Sequence, residues 1–188
     1  MITSDGRCST EIKRRIAIAK DSFSKMRPIF KNHNISMVTK HRVLKAYVWS
    51  VLLYGCESWT TTEDVRMKLE AAEMWFLRRM LGISWTEKKT NQEVLEQAET
   101  KRSLIKTIRK RQLQFLGHLN RHKCIEHLAL TEKIEGKKSR GRPRITYLNN
   151  LNSWVTKKEK SNMCFLRVSD QREEWRTMIT DVCHRPGT

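Results

Sequence analysis

The sequence lacks long apolar runs and the cysteine spacing of a disulfide-stabilised domain. Its longest mostly apolar stretch, AYVWSVLLY at 46–54, is too short to cross a bilayer. The first residues, MITSDGRCSTEIKRR, contain no apolar segment of a signal peptide. The five cysteines stand far apart without a Cys-x-x-Cys pair, so we expect no disulfide framework. We therefore expect a nuclear or cytoplasmic protein with no membrane partner.

Groups for catalysis are also sparse. The aspartates are dispersed, and none belongs to a motif for two-metal phosphoryl transfer, where carboxylates hold ions about 4 Å apart. The sequence has no phosphate-cradling glycine loop and no Gly-x-Ser-x-Gly motif. We predict that the chain by itself is not an enzyme, and we assign it no catalytic residue and no cofactor.

One short segment contains several residue types that bind metals. His118, His122, Cys124 and His127 lie within HLNRHKCIEH, and zinc sites favour His and Cys at short spacings. A second cysteine pair is missing, and His118 and His122 are simply one helical turn apart. We interpret the segment as a basic, partly exposed helix end and assign no metal site.

Positive charge is abundant and unevenly distributed. The net charge is +18, with +7 in residues 1–60, −2 in 61–100, +11 in 101–144 and +2 in 145–188. Such an excess favours a polyanionic partner, here RNA or DNA. We predict that the binding residues lie in 101–111 and 137–144: Lys101, Arg102, Lys106, Arg109, Lys110, Arg111, Lys137, Lys138, Arg140, Arg142 and Arg144.

Within the second tract, Arg140–Pro143 reads RGRP and resembles the AT-hook. In that motif an extended Arg-Gly-Arg-Pro lies in the narrow minor groove of A·T-rich DNA, where arginine meets an enhanced negative potential. The alternative interpretation of 137–144 is a charged spacer.

Helical periodicity dominates, and no strand alternation is evident, so we predict an all-α fold. A thumb-like helical bundle at 1–60 would precede a helical region at 61–135, an extended basic Gly/Pro linker at 136–144 and C-terminal helices at 145–188. Capping boxes are predicted at Thr61–Asp64 and Thr90–Glu93, and an amphipathic helix at 101–119. The expected apolar faces carry Ile12, Ile16, Ala19, Phe23, Val43, Leu44, Tyr47, Val48, Val51, Leu52, Val65, Leu69, Ala72, Phe76, Met80, Leu104, Ile108, Phe115, Leu119, Leu148, Leu151, Val155, Trp175, Ile179 and Val182.

The six tryptophans are predicted mostly to pack. Trp49, Trp75 and Trp175 fall on apolar helix stripes, and Trp59 and Trp85 lie near helix ends. A sixth, Trp154, follows the basic tract and is the candidate for stacking on a nucleic-acid base.

Six segments, in order, resemble the C-terminal part of the endonuclease–reverse transcriptase of non-LTR retrotransposons of the RTE/BovB-like kind. They are DGRCSTEIKRRIAIAKDSFSKM, VLKAYVWSVLLYGCESWT, LEAAEMWFLRRMLGISWTEKKTNQEVL, KRQLQFLGHLNR, IEGKKSRGRPR and QREEWRTMI. The resemblance implies a reverse-transcriptase thumb followed by a basic region that holds RNA or DNA. It also implies a truncated copy whose catalytic palm and endonuclease are missing.

Other functions stay open. The chain would serve as a recruited A·T-rich DNA-binding module, as a protein-interaction module whose exposed surface binds a palm domain or a partner helix, or as a remnant without function. Loss of the palm predicts exposed apolar surface on 12–23 or 43–54. The oligomeric state does not follow from the sequence.

Overall fold

The fold is that of a computed structural model, which describes residues 8–122, 125–130, 146–155 and 162–184. Across these ranges the structure is helical and contains no strand, which confirms the all-α prediction. The chain divides into two compact units. The first comprises residues up to Gly55 together with Thr61–Ile105, and the second comprises Cys56–Thr60 together with the residues from Lys106 onward. The predicted linker at 136–144 lies outside the described residues.

Six α-helices belong to the first unit. They are α1 (Ser9–Lys25), α2 (Arg27–Lys31), α3 (Met37–Val43), α4 (Trp49–Leu52), α5 (Glu63–Leu81) and α6 (Asn91–Gln97). A π-helical turn, Leu44–Val48, joins α3 to α4, and a 3-10 turn spans Trp85–Glu87. Pro28 stands in the first turn of α2, where a proline costs no backbone hydrogen bond.

The core of the first unit forms where α1 and α2 pack on α5. The ring of Phe23 lies 4.4 Å from that of Phe30 and 5.3 Å from that of Phe76, measured between centroids. The predicted stripe of α5 is buried as expected, at Val65, Leu69, Ala72, Phe76 and Met80. Periodicity alone therefore identified the buried face of this helix.

Local details of the first unit differ from prediction in two places. The capping box at Thr61–Asp64 is wrong, because α5 begins after Thr62, whose side chain makes no capping bond. The box at Thr90 is confirmed: its hydroxyl accepts from the Glu93 amide at 3.3 Å, and the Glu93 carboxylate accepts from the Thr90 amide at 2.8 Å. Tyr47 was expected to be buried but is 63% exposed, since the π-helical turn changes which side chains face the core.

Four other residues of the predicted apolar faces are only half-buried: Ile16, Val43, Val51 and Phe115. They lie at the edges of the buried faces, beside residues that are fully covered, such as Leu44 and Leu52.

The second unit contains most of α7 (Leu104–His122), with α8 (Ile125–Leu130), α9 (Tyr147–Val155), α10 (Asn162–Asp170) and α11 (Arg172–His184). Its core joins Leu113 and Leu116 of α7 to the predicted stripes of α9 and α11, which are buried as expected. Helix α10 was not predicted, although its Phe165 and Leu166 belong to this core. No described helix has both the length and the apolar character needed to cross a membrane.

Buried amide side chains connect α7 to other segments of the second unit. The Gln112 side chain donates to the carbonyls of Cys56 at 2.6 Å and Trp59 at 2.9 Å. Asn120 donates to the Leu166 carbonyl at 2.9 Å and to the Asp170 carboxylate at 2.8 Å. Both amides donate to backbone carbonyls of other segments and so find acceptors in a buried setting.

The start of α7 is held by a carboxylate of α5. Oε1 of the buried Glu73 accepts from the amides of Ser103 at 2.9 Å and Leu104 at 3.1 Å. The sequence predicted a helix from residue 101, whereas α7 begins at Leu104. Burial raises the pKa of Glu73, while the two amides and Arg102 act in the opposite direction.

We expect Glu73→Ala to lower the free energy of unfolding by about 1–3 kcal/mol, because two amides lose their acceptor in a buried position. Glu73→Gln keeps one acceptor oxygen and is expected to cost less. Urea denaturation followed by far-UV circular dichroism measures both. Equal stability of the alanine variant and the wild type would contradict this role of Glu73.

Comparing the wild type with Glu73→Gln at different pH values also tests the raised pKa of Glu73. A folded-state pKa above the unfolded one means that the folded protein holds the proton more tightly. The stability of the wild type relative to Glu73→Gln should therefore fall as the pH rises from the ordinary glutamate pKa through the folded one. A difference that stays constant with pH would show that burial does not shift this carboxyl.

Gly117 permits the close approach of Trp175 to α7. A Cβ at Gly117 would lie 2.6 Å from Cδ1 of the Trp175 ring, whose Nε1 donates to the Leu113 carbonyl at 2.9 Å. The ring is buried and also meets the edge of Phe165. It therefore has no room to move without loss of these contacts.

We expect Gly117→Ala to destabilise the protein by about 1–3 kcal/mol through overpacking, although alanine is the better helix former. The matched control is Gln114→Ala, an exposed position of the same helix, which should change stability by about 0.5 kcal/mol or less. Thermal and urea unfolding compare the two. An alanine at 117 that stabilises the protein, as propensity alone predicts, would contradict the packing seen here.

Candidate nucleic-acid interface

Six of the predicted binding residues lie in the described part of the chain. They are Lys101, Arg102, Lys106, Arg109, Lys110 and Arg111. The other five lie outside the described residues: Lys137, Lys138, Arg140, Arg142 and Arg144. The geometry of the interface therefore concerns the start of α7 and the two residues that precede Ser103.

In the first unit, Arg102 belongs to an ion-pair network. Its guanidinium lies 3.0 Å from Glu70, which also accepts from Arg66 at 3.0 Å. Two arginines that share one half-buried carboxylate leave Arg102 with less capacity for a phosphate. Lys101 is exposed just ahead of it.

In the second unit, three cations of α7 act electrostatically on Cys183 of α11. Lys106, Arg109 and Lys110 stand at i, i+3 and i+4, so they share one side of the helix. Burial raises the pKa of the Cys183 thiol, and the fields of Lys110, Lys106 and Arg109 lower it. One partly buried thiol thus senses all three charges. Within the described ranges, no carboxylate lies in ion-pairing distance of Lys106 or Lys110.

Arg111 has a different environment from these three cations. Its guanidinium lies 4.0 Å from the Glu57 carboxylate, and the Glu57 carbonyl accepts from the Tyr147 hydroxyl at 2.6 Å. Burial, followed by the charge of Glu57, raises the pKa of Cys56 to about 11. Arg111 is therefore paired in the described structure, whereas Lys106 and Lys110, among the predicted binding residues of α7, have no described carboxylate in ion-pairing distance.

The tryptophans sort into three environments. Trp49, Trp59 and Trp175 are buried, as predicted. Trp154 is half-buried against the second core, with the Arg109 guanidinium 5.2 Å from its ring centroid, so one face of the stacking candidate is covered by a cation. The prediction that Trp75 lies in the core is wrong, because its ring is only half-buried. The Trp85 side chain lies outside the described residues.

The histidine segment shows a ring pair in the described structure. His118 and His122 have ring centroids 4.3 Å apart, as expected for one helical turn. Among the described residues, no group of three or more His, Cys, Asp or Glu side chains is placed to hold a metal ion. Cys124 lies outside the described residues.

A second group of cations was missed. Arg27 and Lys31 of α2 share a cleft of the first unit with Arg78 and Arg79 of α5 and with the loop residues that follow. The charge sums along the chain did not indicate this group, because the acids of 61–100 outnumber its bases and give that segment a net charge of −2. The signal that would have found it is the position of Arg78 and Arg79 in the last turn of an amphipathic helix.

No protein-family model, no curated protein and no solved structure matches this chain. The resemblance to a retrotransposon reverse transcriptase therefore rests on the sequence segments alone and stays a prediction.

The Cys183 thiol offers a test of the cation cluster on α7. Replacing Lys106 and Lys110 by Gln removes two charges that lower the pKa of Cys183, so its thiolate fraction should fall. We expect alkylation of Cys183 by iodoacetamide to slow at a pH below the thiol pKa. The exposed Cys164 is the internal control and should react at an unchanged rate, as measured by peptide mass spectrometry. An unchanged alkylation rate at Cys183 would show that the charges of Lys106 and Lys110 do not act on this thiol.

Proposed function

We propose that this chain binds RNA or DNA through phosphate contacts, as the thumb and basic C-terminal region of a retrotransposon reverse transcriptase without its palm and endonuclease. The observation that carries the proposal is the pair Lys106 and Lys110. They lie one turn apart on α7 beside Arg109, without a described carboxylate in ion-pairing distance. The net charge of +18 supports the same partner.

The chemistry of these groups favours binding with little sequence readout. Lysine ammonium groups interact with phosphate as point charges, and each neutralised phosphate releases condensed counterions. Contacts of this kind fix the position of a protein on the nucleic acid without reading base edges. Polymerisation is not expected from this chain, since its parent's catalytic aspartates have no counterpart among the residues matched by the resemblance.

A second candidate function is the binding of a protein partner, such as a palm domain or a helix. The first unit exposes large apolar side chains within 38–54: Val38 at 57%, Tyr47 at 63% and Tyr54 at 68%. The Tyr54 ring is covered on one side by the Arg15 guanidinium at 4.5 Å. Binding of a protein through these side chains would survive high salt, unlike phosphate contacts.

The test is a fluorescence-anisotropy titration of the full chain at several salt concentrations. The ligands are an A·T-rich duplex, a G·C-rich duplex and a structured RNA. If both lysines contact phosphate, Lys106→Gln with Lys110→Gln should weaken binding of every ligand. It should also reduce the slope of log K against log salt by about 1.8 for duplex DNA. The matched control is Arg167→Gln with Arg172→Gln, two exposed arginines of the same unit.

A further variant, with Arg140, Arg142 and Arg144 changed to Ala, examines the second tract. A loss confined to the A·T-rich duplex would support the AT-hook interpretation, and an equal loss on all ligands would support backbone contacts.

In the lysine experiment, equal effects of the α7 lysine variant and of the Arg167/Arg172 control on binding would contradict the proposal, because only overall charge would then matter.

A further inference from the structure

The first unit contains a cleft of about 730 Å³ whose charged lining is entirely cationic. The volume is in the range of pockets that accept small molecules. Its six cations come from two helices and one loop, and none of its lining residues is acidic: Arg27, Lys31, Arg78, Arg79, Lys88 and Lys89. A concave surface lined by one sign of charge concentrates the field of its members.

Three of the six cations have no partner in the described structure. Arg27, Lys31 and Lys88 are exposed, and no described carboxylate lies in ion-pairing distance of them. The residues that line the cleft supply no counter-charge to them, since the Glu87 carboxylate beside the lining pairs with Lys89. These three are therefore the groups available to a ligand.

The remaining cations are held in place by contacts within the cleft or at its edge. The Arg79 guanidinium lies 4.9 Å from the centroid of the Trp75 ring, and Arg78 donates to the Lys89 carbonyl at 3.1 Å. The Lys89 ammonium lies 3.2 Å from Glu87. Fixed positions reduce the entropy that a ligand contact would otherwise cost.

The loop that brings Lys88 into the cleft is well defined. It leaves α5 through Gly82, whose φ of 74° lies in the left-handed region that glycine favours. The Glu87 carboxylate accepts from the Ser84 amide at 2.8 Å, which folds 84–87 into a turn. Lys88 then takes a positive φ of 47°. Such a conformation is uncommon for lysine and is maintained here by the turn on one side and the capping box at Thr90 on the other.

The aromatic wall of the cleft supports its cations. The Trp75 ring has Arg79 at 4.9 Å and the Lys20 ammonium at 5.0 Å from its centroid, so cations already occupy its surface. Phe23 packs its ring on the edge of Trp75 at 5.7 Å. Trp75 therefore positions guanidinium and ammonium groups by cation–π contacts, and the ligand groups that this site fits are anions.

We propose that the cleft formed by α2, the end of α5 and the loop 82–89 binds adjoining phosphate groups, supplied by a single strand of nucleic acid or by free polyphosphate. Arginine binds phosphate oxygens through two parallel N–H bonds, and lysine adds point charges. A single strand places phosphates in succession along a groove of this kind. The first source rests on the proposed function, whereas the second is independent of it.

The test compares two full-length variants with identical charge. The cleft variant carries Arg27→Glu and Lys31→Glu, and the control carries Lys13→Glu and Arg42→Glu, which are exposed in the same unit outside the cleft. Each pair replaces one arginine and one lysine, so the loss of net charge is the same. Circular dichroism and thermal unfolding establish that both variants fold.

Binding is measured with a labelled single strand of about 12 nucleotides, within the site sizes of single-strand-binding folds, and with tripolyphosphate by calorimetry. We expect the cleft variant to lose about tenfold or more in affinity for at least one ligand, because two charge-assisted contacts are lost. The salt slope for the strand should fall by about 1.4. The control should change both quantities much less.

The outcomes separate this proposal from the proposed function. If Lys106→Gln with Lys110→Gln weakens strand binding but the cleft variant behaves as its control for both ligands, the cleft proposal is overturned and the proposed function stands. If no strand binds but tripolyphosphate does, and only the cleft variant loses it, the phosphate site stands and the proposed function fails. If neither ligand binds the wild type, the cleft proposal is overturned.

Discussion

The hydrogen bonds that the buried Glu73 carboxylate of α5 accepts at the start of α7 are the interaction on which the placement of this helix depends. It satisfies the amides of Ser103 and Leu104, which a helix cannot pair internally. The acceptor comes from α5, about 30 residues away in sequence, so this end of the helix is held by a remote side chain. Farther along α7, the buried Gln112 and Asn120 side chains donate to carbonyls of other segments. The helix is thus positioned by buried polar side chains as well as by apolar contacts, and such contacts specify register because an unpaired partner is costly.

The cations at and just before the start of α7 differ in their environments. Arg102 and Arg111 have carboxylates of Glu70 and Glu57 within 4.0 Å, so their charge contributes to internal ion pairs. Lys106 and Lys110 lie on a side without described acids, and the raised pKa of Cys183 is moderated by their fields. Cations close together in sequence therefore differ in what they offer to a ligand. A basic segment is a guide to binding only after its internal pairs are known.

Apolar periodicity predicted the helices well, because burial of one face decides their orientation. The stripes of α5, α9 and α11 were correct for this reason. The misses have local physical causes. A π-helical turn exposed Tyr47, and α7 begins at Leu104 rather than at 101, where the remote Glu73 carboxylate accepts from the helix start. Helix α10 was missed although its Phe165 packs against the Trp175 ring in the second core. Trp75 fits an apolar stripe, yet the cations around it leave it half-buried.

The summed charge of 61–100 gave no indication of the cleft, because the acids and bases of this segment cancel although the two ends of α5 carry opposite charge. Glu63 and Asp64 occupy the first turn, and Arg78 and Arg79 the last. Each placement is favourable with respect to the helix dipole, which is positive at the start and negative at the end. A segment with a net charge of −2 thus has a strongly basic end. Glu63 and Asp64 of the first turn lie about four turns away from Arg78 and Arg79, so the charged side chains that the end of α5 contributes to the cleft are both cationic.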